Sequence, residues 1–219
     1  MSFLANKKVL LTAGPTHEPI DPVRFIGNRS SGKMGYAIAE ACAMEGAEVV
    51  LVSGPVNLQV KHPNIHLIAV ETAAEMHKAC HEHFVDCDIA ILAAAVADYT
   101  PALKAEEKIK KKTAEFSLEL VQTKDILKSL GKIKTDKQVL VGFALETNNE
   151  LENAKGKLTK KNLDFIVLNS LQDKGAGFKH ETNKITILDK YNKITKFELK
   201  EKGLVAKDIL NYLRVIEQN

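Results

Sequence analysis

The feature that most restricts this chain is a series of six short apolar runs separated by polar, helix-forming or loop-forming stretches. The runs are 9–14 (VLLTAG), 48–54 (EVVLVSG), 64–70 (NIHLIAV), 88–97 (DIAILAAAVA), 138–144 (QVLVGFA) and 164–169 (DFIVLN). Strands that are apolar on both faces must be covered on both faces, which is the situation of a parallel sheet between two helical layers. Helices are expected in the intervals. In 34–45, Ile38, Ala41 and Cys42 recur at helical spacing and Gly46 stops the helix; in 72–84, Thr72 caps; 125–133 and 148–161 complete the set. Segment 15–25 holds three prolines and cannot be helical. The runs 184–189 and 193–199 flank the turn Lys190-Tyr191-Asn192 and predict a hairpin, and 205–216 predicts a closing helix. The expected fold is a single three-layer α/β domain over 1–219: a Rossmann-like, mostly parallel sheet with helices on both faces, plus a C-terminal β-hairpin.

A chain of 219 residues is long enough to bury one substantial core. The net charge of +3, from 31 basic and 28 acidic side chains, is too small to imply a nucleic-acid partner, so any anion site must be local. Three cysteines (Cys42, Cys80, Cys87) without CxxC spacing suggest neither a disulfide framework nor a zinc knuckle, and a cytoplasmic setting is expected. The start, MSFLANKKVLL, lacks the layout of a signal peptide, and no apolar run approaches the roughly 18 residues of a membrane span. His77 and His81 have the i, i+4 spacing of a zinc pair, but Lys78 stands where HExxH has Glu and no third ligand is evident. A solvent-facing pair is the expectation there.

The stretch 25–35, FIGNRSSGKMG, contains G-x-x-x-x-G-K followed by Met34, where a P-loop has Ser or Thr. Thirteen residues, Pro15 to Gly27, separate the end of the first strand from the second half of the motif, so both context and chemistry depart from a P-loop. No G-x-G-x-x-G follows that strand, the second run ends in Ser53-Gly54 rather than an acid, and no Tyr has a Lys four residues later. These absences argue against an NAD(P)-binding oxidoreductase, which with a non-catalytic nucleotide sensor is the alternative reading. Ser30, Ser31 and Gly32 immediately precede a helix, whose N–H groups and dipole attract phosphate. A solvated helix cap would use the same residues, and the stretch alone leaves both open.

The block 13–35 (AGPTHEPIDPVRFIGNRSSGKMG), continued by VSGPV (52–56), AAAVADY (93–99), EKIKKK (107–112), GFALETNN (142–149) and KLTKKNLDFIVLN (157–169), closely resembles the bacterial phosphopantothenoylcysteine synthetases of coenzyme A biosynthesis. The motifs lie in the family's order and span most of the chain. In many bacteria that module is fused behind a flavin decarboxylase, a half not present in this sequence. The resemblance implies a ligase that joins 4′-phosphopantothenate to cysteine. CTP, with Mg2+, activates the carboxylate as an acyl-cytidylate, releasing pyrophosphate, and the cysteine amine displaces CMP. It also implies a homodimer, through the hairpin 184–199 or the segment 98–120, with no nucleic-acid or membrane partner.

Carried over by position, the resemblance makes Asn28 the residue that turns over the acyl-cytidylate, and Lys108 a lysine on the nucleotide phosphates. Arg24 suits a substrate phosphate or carboxylate by its bidentate fork, or an ordinary ion pair. Gly14, Ser30, Ser31 and Gly32 fall among the nucleotide contacts, and Ala94 and Ala95 would read cytosine through their backbone. Asp98 would meet ribose hydroxyls or a magnesium ion; the sequence does not choose. Lys124, Asp125, Ile126 and Leu127 match a nucleotide-contacting turn, although Lys124 stands where a Pro is usual. Phe143 would wall the nucleotide pocket or simply fill the core. Lys157 and Lys161, four apart on one helix face, match a nucleotide-associated lysine pair.

Overall fold

A computed structural model describes residues 2–111, 115–146, 149–170 and 180–217. Of the motifs above, Lys112, Thr147 and Asn148 lie outside the described residues. In chain order the elements are β1 (Lys8–Ala13), β2 (His17–Pro19), β3 (Phe25–Gly27), α1 (Lys33–Met44), β4 (Glu48–Ser53), β5 (Ile65–Ala69), α2 (Ala73–Phe84) and β6 (Ile89–Leu92). There follow β7 (Tyr99–Pro101), β8 (Leu120–Gln122), α3 (Ile126–Ile133), β9 (Val139–Glu146), α4 (Glu150–Lys160) and β10 (Phe165–Ser170). β11 (Thr182–Asn183), β12 (Ile185–Asp189), β13 (Ile194–Lys196), β14 (Lys200–Glu201) and α5 (Lys202–Glu217) complete the chain.

Eight strands form one sheet in the order β13-β12-β10-β9-β6-β1-β4-β5. The six from β10 to β5 run parallel, and β12 and β13 join antiparallel as the expected hairpin. Numbered by sequence, the parallel strands run 6-5-4-1-2-3, the doubly wound order whose direction reverses between β1 and β6. The strict alternation of a strand divides the apolar runs between two cores. Val9, Leu11, Ile89, Ile91 and Val141 pack with α1 and α5, while Leu10, Ala90 and Leu140 pack with α2, α3 and α4. Each fully buried Leu or Ile contributes about 1.5–3 kcal/mol, so the sheet is held from both sides.

The helix ends follow local chemistry. Thr72 and Glu75 form a reciprocal capping box at α2, and Asp125 caps α3 by accepting from Lys128 N at 2.9 Å. Among the described residues no helix is long and apolar enough to cross a membrane. Cys42, Cys80 and Cys87 are unpaired and buried, and burial pushes each thiol up to about 12.

Two expectations are corrected. The run 88–97 is not one strand: β6 ends at Leu92. Beyond it, hydroxyls capture the backbone, with Ala94 N donating to Thr12 Oγ1 (3.1 Å) and Ala97 N to Thr16 Oγ1 (2.9 Å). An apolar run reads the same whether its N–H groups meet a ladder or a side chain. Past this run, β7 and β8 pair as an antiparallel ribbon lying against the ribbon β2–β3. His77 and His81 are not a solvent-facing pair. Their rings stack at 4.3 Å, and His81 Nε2 hydrogen-bonds Ser129 Oγ at 2.8 Å across the α2–α3 contact.

Candidate functional site

Ligands of doubly wound sheets collect outside the carboxyl ends of the strands, where the order reverses. At that place, past the ends of β1, β6 and β9, lies a cleft with two lobes of about 340 and 510 Å³ that share Ala94, Val96, Asp98 and Phe143. Phe143, on β9, is a wall of both.

The first lobe opens onto the start of α1. Gly32 occupies the cap position in the left-handed region (φ 76°), no side chain caps the helix, and its first turn carries no acid. Lys33, Met34 and Gly35, the first three helical residues, line the lobe. Their N–H groups have no carbonyl one turn back to bond, so the helix presents donors and the positive end of its dipole. Only a chain of small residues could bring this helix so close to β1. A Cβ on Gly35 would lie 2.6 Å from that of Ala13, and one on Gly14, also left-handed (φ 75°), would lie 3.0 Å from Gly54 O.

Asn28 ties the loop before α1 to the loop after β6. Its amide Nδ2 donates to Ala95 O at 2.9 Å and Val96 O at 3.1 Å. Both amide donors are thus engaged inside the protein, with the residue on the lobe wall. The N–H groups of Ala94 and Ala95 are engaged too, the latter by Gly14 O at 2.9 Å, so a base meeting this loop would be read through carbonyl oxygens.

The second lobe is lined by the turn 124–127 and Lys161. Lys161 pairs with Asp125 at 2.9 Å. Burial pushes the Asp125 carboxyl up, but the Lys128 amide and the Lys161 ammonium outweigh it and hold it below its ordinary value. Lys124 faces the histidine pair: burial, then His81, then Lys124 lower the pKa of His77. Lys157 lines the first lobe and Lys161 the second, so this pair spans both.

Arg24 and Lys108 line neither lobe. Arg24 forms an ion pair with the buried Asp21 and donates to Ile109 O at 3.0 Å, while Ile109 N donates to Asp21 Oδ2 at 3.1 Å. The pair therefore clamps the exposed strap that carries Lys108. Of the residues expected from the sequence, Asn28, Ser30, Ser31, Gly32, Ala94, Ala95, Asp98, Lys124, Asp125, Ile126, Leu127, Phe143, Lys157 and Lys161 line the cleft, and Gly14 packs beneath it. Among the residues not expected, the polar Lys33, Asn169, Asn183 and Lys202 also line it. Lys33 stands inside the motif 25–35 and Asn169 closes the motif 157–169; Asn183 and Lys202 carry no local signal.

The family described as "DNA/pantothenate metabolism flavoprotein C-terminal domain" matches residues 4–216. A protein of an unknown prokaryotic organism described as "Cysteine/Cysteine sulfinic acid decarboxylase" is 59% identical over 207 residues, 94% of this chain and 58% of its own length. The coenzyme A biosynthesis bifunctional protein CoaBC of Bacillus subtilis is 45% identical over 215 residues, 98% of this chain and 53% of its own length. The chain thus spans little more than half of these relatives. The crystal structure of the C-terminal domain of a CoaBC protein superposes with a TM-score of 0.83 at 43% identity, covering 98% of this chain and 99% of that one. With its family match running nearly end to end and its sheet shared with a solved C-terminal domain, the chain belongs to the DNA/pantothenate metabolism flavoprotein C-terminal domain family.

Proposed function

We propose that this domain ligates 4′-phosphopantothenate to cysteine by way of an acyl-cytidylate. The observation that carries the reading is the two-lobed cleft itself. One lobe offers the acid-free start of α1, and the other offers Lys124 and Lys161, with Phe143 and the 94–98 loop between them. A carboxylate is a poor acyl donor. In the first displacement its oxygen attacks the α-phosphorus of CTP and the bond to pyrophosphate breaks. In the second, the cysteine nitrogen attacks the acyl carbon and CMP leaves. Both transition states concentrate negative charge on phosphate oxygens, which fixed N–H groups and ammonium groups stabilise.

Asn28 would hold the activated acyl group beside the 94–96 loop, and Lys108 would close over the triphosphate from its strap. Carbonyl oxygens on that loop favour a base with an exocyclic amino group, as cytosine has, over uracil. Asp98, shared by both lobes, is the carboxylate that fits a magnesium ion arriving with nucleotide phosphates, since Mg2+ is commonly held by one or two carboxylates plus substrate oxygens. The ion would neutralise phosphate charge. A homodimer fits as well. The ribbons β2–β3 and β7–β8, with their connecting segments, expose Phe25, Tyr99, Leu103, Phe116, Leu120 and Val121, an apolar surface suited to a second copy.

Pyrophosphate release with phosphopantothenate and CTP, ATP or UTP, with and without cysteine, tests the reading. Release should require the acid and run fastest with CTP. Asn28→Ala should accumulate the acyl-cytidylate, and Lys108→Gln should slow its formation by about 100-fold. Pyrophosphate release that ignores the acid would overturn the proposal.

A further inference from the structure

Asp98 stands where the two lobes meet, and the backbone that carries it is held by hydroxyl groups rather than by the main sheet, whose strand β6 has already ended at Leu92. Ala97, only 6% exposed, is gripped on both sides. Its N–H donates to Thr16 Oγ1 at 2.9 Å, and its carbonyl accepts from Thr123 Oγ1 at 2.6 Å. Thr123 N donates in turn to Asp98 O at 3.0 Å. Asp98 and Thr123 thus oppose one another at the end of the β7–β8 ribbon, one step past the pairing of Tyr99 with Gln122. Thr16 is fully buried, and Thr123 is half-buried on the wall of the second lobe. Threonine suits such a tie, because its branched β-carbon restricts χ1 and offers the hydroxyl in a fixed direction. The Asp98 side chain itself is exposed in a cleft that attracts anions. A carboxylate there attracts a ligand when aimed at hydroxyl groups or a cation and repels it when aimed at phosphate oxygens.

We propose that Thr16 and Thr123 are positioning residues that aim the Asp98 carboxylate into the cleft. Thr16 fixes the approach to Asp98 against the loop after β1, and Thr123 fixes the departure from it against the turn 124–127 that lines the second lobe. The two hydroxyls hold the peptide planes on either side of Ala97, and with them the φ and ψ that set the direction of the next side chain. Displacing a group in an active site by about 1 Å can cost on the order of 100-fold in rate, so control of this kind is large enough to decide function. Removing either hydroxyl also leaves a buried N–H or carbonyl without its partner, which costs more than replacing both partners together. The inference rests on the ligase reading for the nucleotide that Asp98 meets, but not for the hydroxyl ties themselves.

Thr16→Val and Thr123→Val, each alone and combined with Asp98→Asn, form double-mutant cycles that calorimetric titration of the whole chain with CTP can read. In the parent background each valine variant should lower CTP affinity about 10-fold. Thr16→Ser and Thr123→Ser, which keep the hydroxyl, should stay within about twofold of the parent. In the Asp98→Asn background the valine substitutions should change affinity by less than about twofold, because the group they aim is gone. A general loosening of the fold would cost the same factor in both backgrounds, and that outcome overturns the proposal. So does parental CTP affinity in Thr123→Val, a half-buried position at which the result is available even if Thr16→Val fails to fold. Amide hydrogen exchange at Ala97 should quicken in Thr16→Val and not in Thr16→Ser; unchanged exchange in both would remove Thr16 from the tie. If the cycles are non-additive as expected while pyrophosphate release never depends on the acid, the positioning stands and the ligase reading falls. If release depends on the acid and the cycles are additive, the ligase reading stands and the positioning falls. A parent protein that binds no CTP overturns both.

Discussion

Gly35 shows how a single residue sets the site. It lies in the first turn of α1 against β1, and an added Cβ would sit 2.6 Å from Ala13 Cβ and 3.1 Å from Thr12 O. Backbone cannot retreat as a flexible side chain can, so Gly35→Ala should push the helix start outward. The expected loss is about 1–3 kcal/mol of stability in urea unfolding, with a larger fall in CTP or phosphate affinity than in stability. Unchanged ligand affinity would mean that the helix start is not an anion site. This glycine is visible in the motif 25–35, as are Asn28 and Ser30–Gly32 in the same loop. Lys202 and Asn183 are not visible in this way. A lysine opening an amphipathic helix has an ordinary sequence context, and only its 7% exposure marks it.

At the scale of elements, the clamp between the β2–β3 hairpin and the strap gives Arg24 a role the sequence left divided. Its side chain bridges Asp21 and Ile109 O, so Arg24 positions Lys108 without lining the cleft. Arg24→Gln should speed amide hydrogen exchange at Ile109 and lower the rate of acid activation, with little effect on the dissociation constant of the acid. A raised dissociation constant with unchanged exchange would instead make Arg24 a substrate ligand. The Arg24 guanidinium, aided by the amides of Val23, Ile109 and Arg24, holds the Asp21 carboxyl well below the usual carboxylate range. Its folded pKa being depressed, the clamp contributes fully above the unfolded value of about 3.9. It weakens only as the pH falls below that value, so strap protection should persist at pH 5. Elements were mostly legible from apolar periodicity: β1, β4, β5, β9, β10 and the hairpin β12–β13 stand where the runs predict. The end of β6 was not, because beyond Leu92 the N–H groups of Ala94 and Ala97 meet threonine hydroxyls on another segment, which the apolar run does not record.

At the scale of the whole molecule, the two ribbons outside the main sheet carry a cluster of exposed apolar side chains. Leu103 is 85% and Phe116 62% exposed there, an arrangement that a monomer in water would not favour. Replacing Val121, which the β7–β8 ribbon leaves exposed, with Glu should convert a dimer into a monomer in sedimentation while the far-ultraviolet circular dichroism stays unchanged. Pyrophosphate release should drop with the dimer if a neighbour's residues complete the site; a fully active monomer would remove the dimer from the mechanism. The amino-acid order alone determined the alternation of strand and helix, the two-sided burial and the Ser- and Gly-rich loop before α1. Each of these depends on neighbours within a few residues, where spacing and turn chemistry act directly. Only the tertiary structure decided the strand order 6-5-4-1-2-3, the early end of β6 and the gathering of Asn28, Ala94–Asp98, Phe143, Asn183 and Lys202 around one cleft. Those contacts join segments far apart in the chain, and the energy that selects them comes from burying both faces of the whole sheet at once, which no local stretch of sequence records.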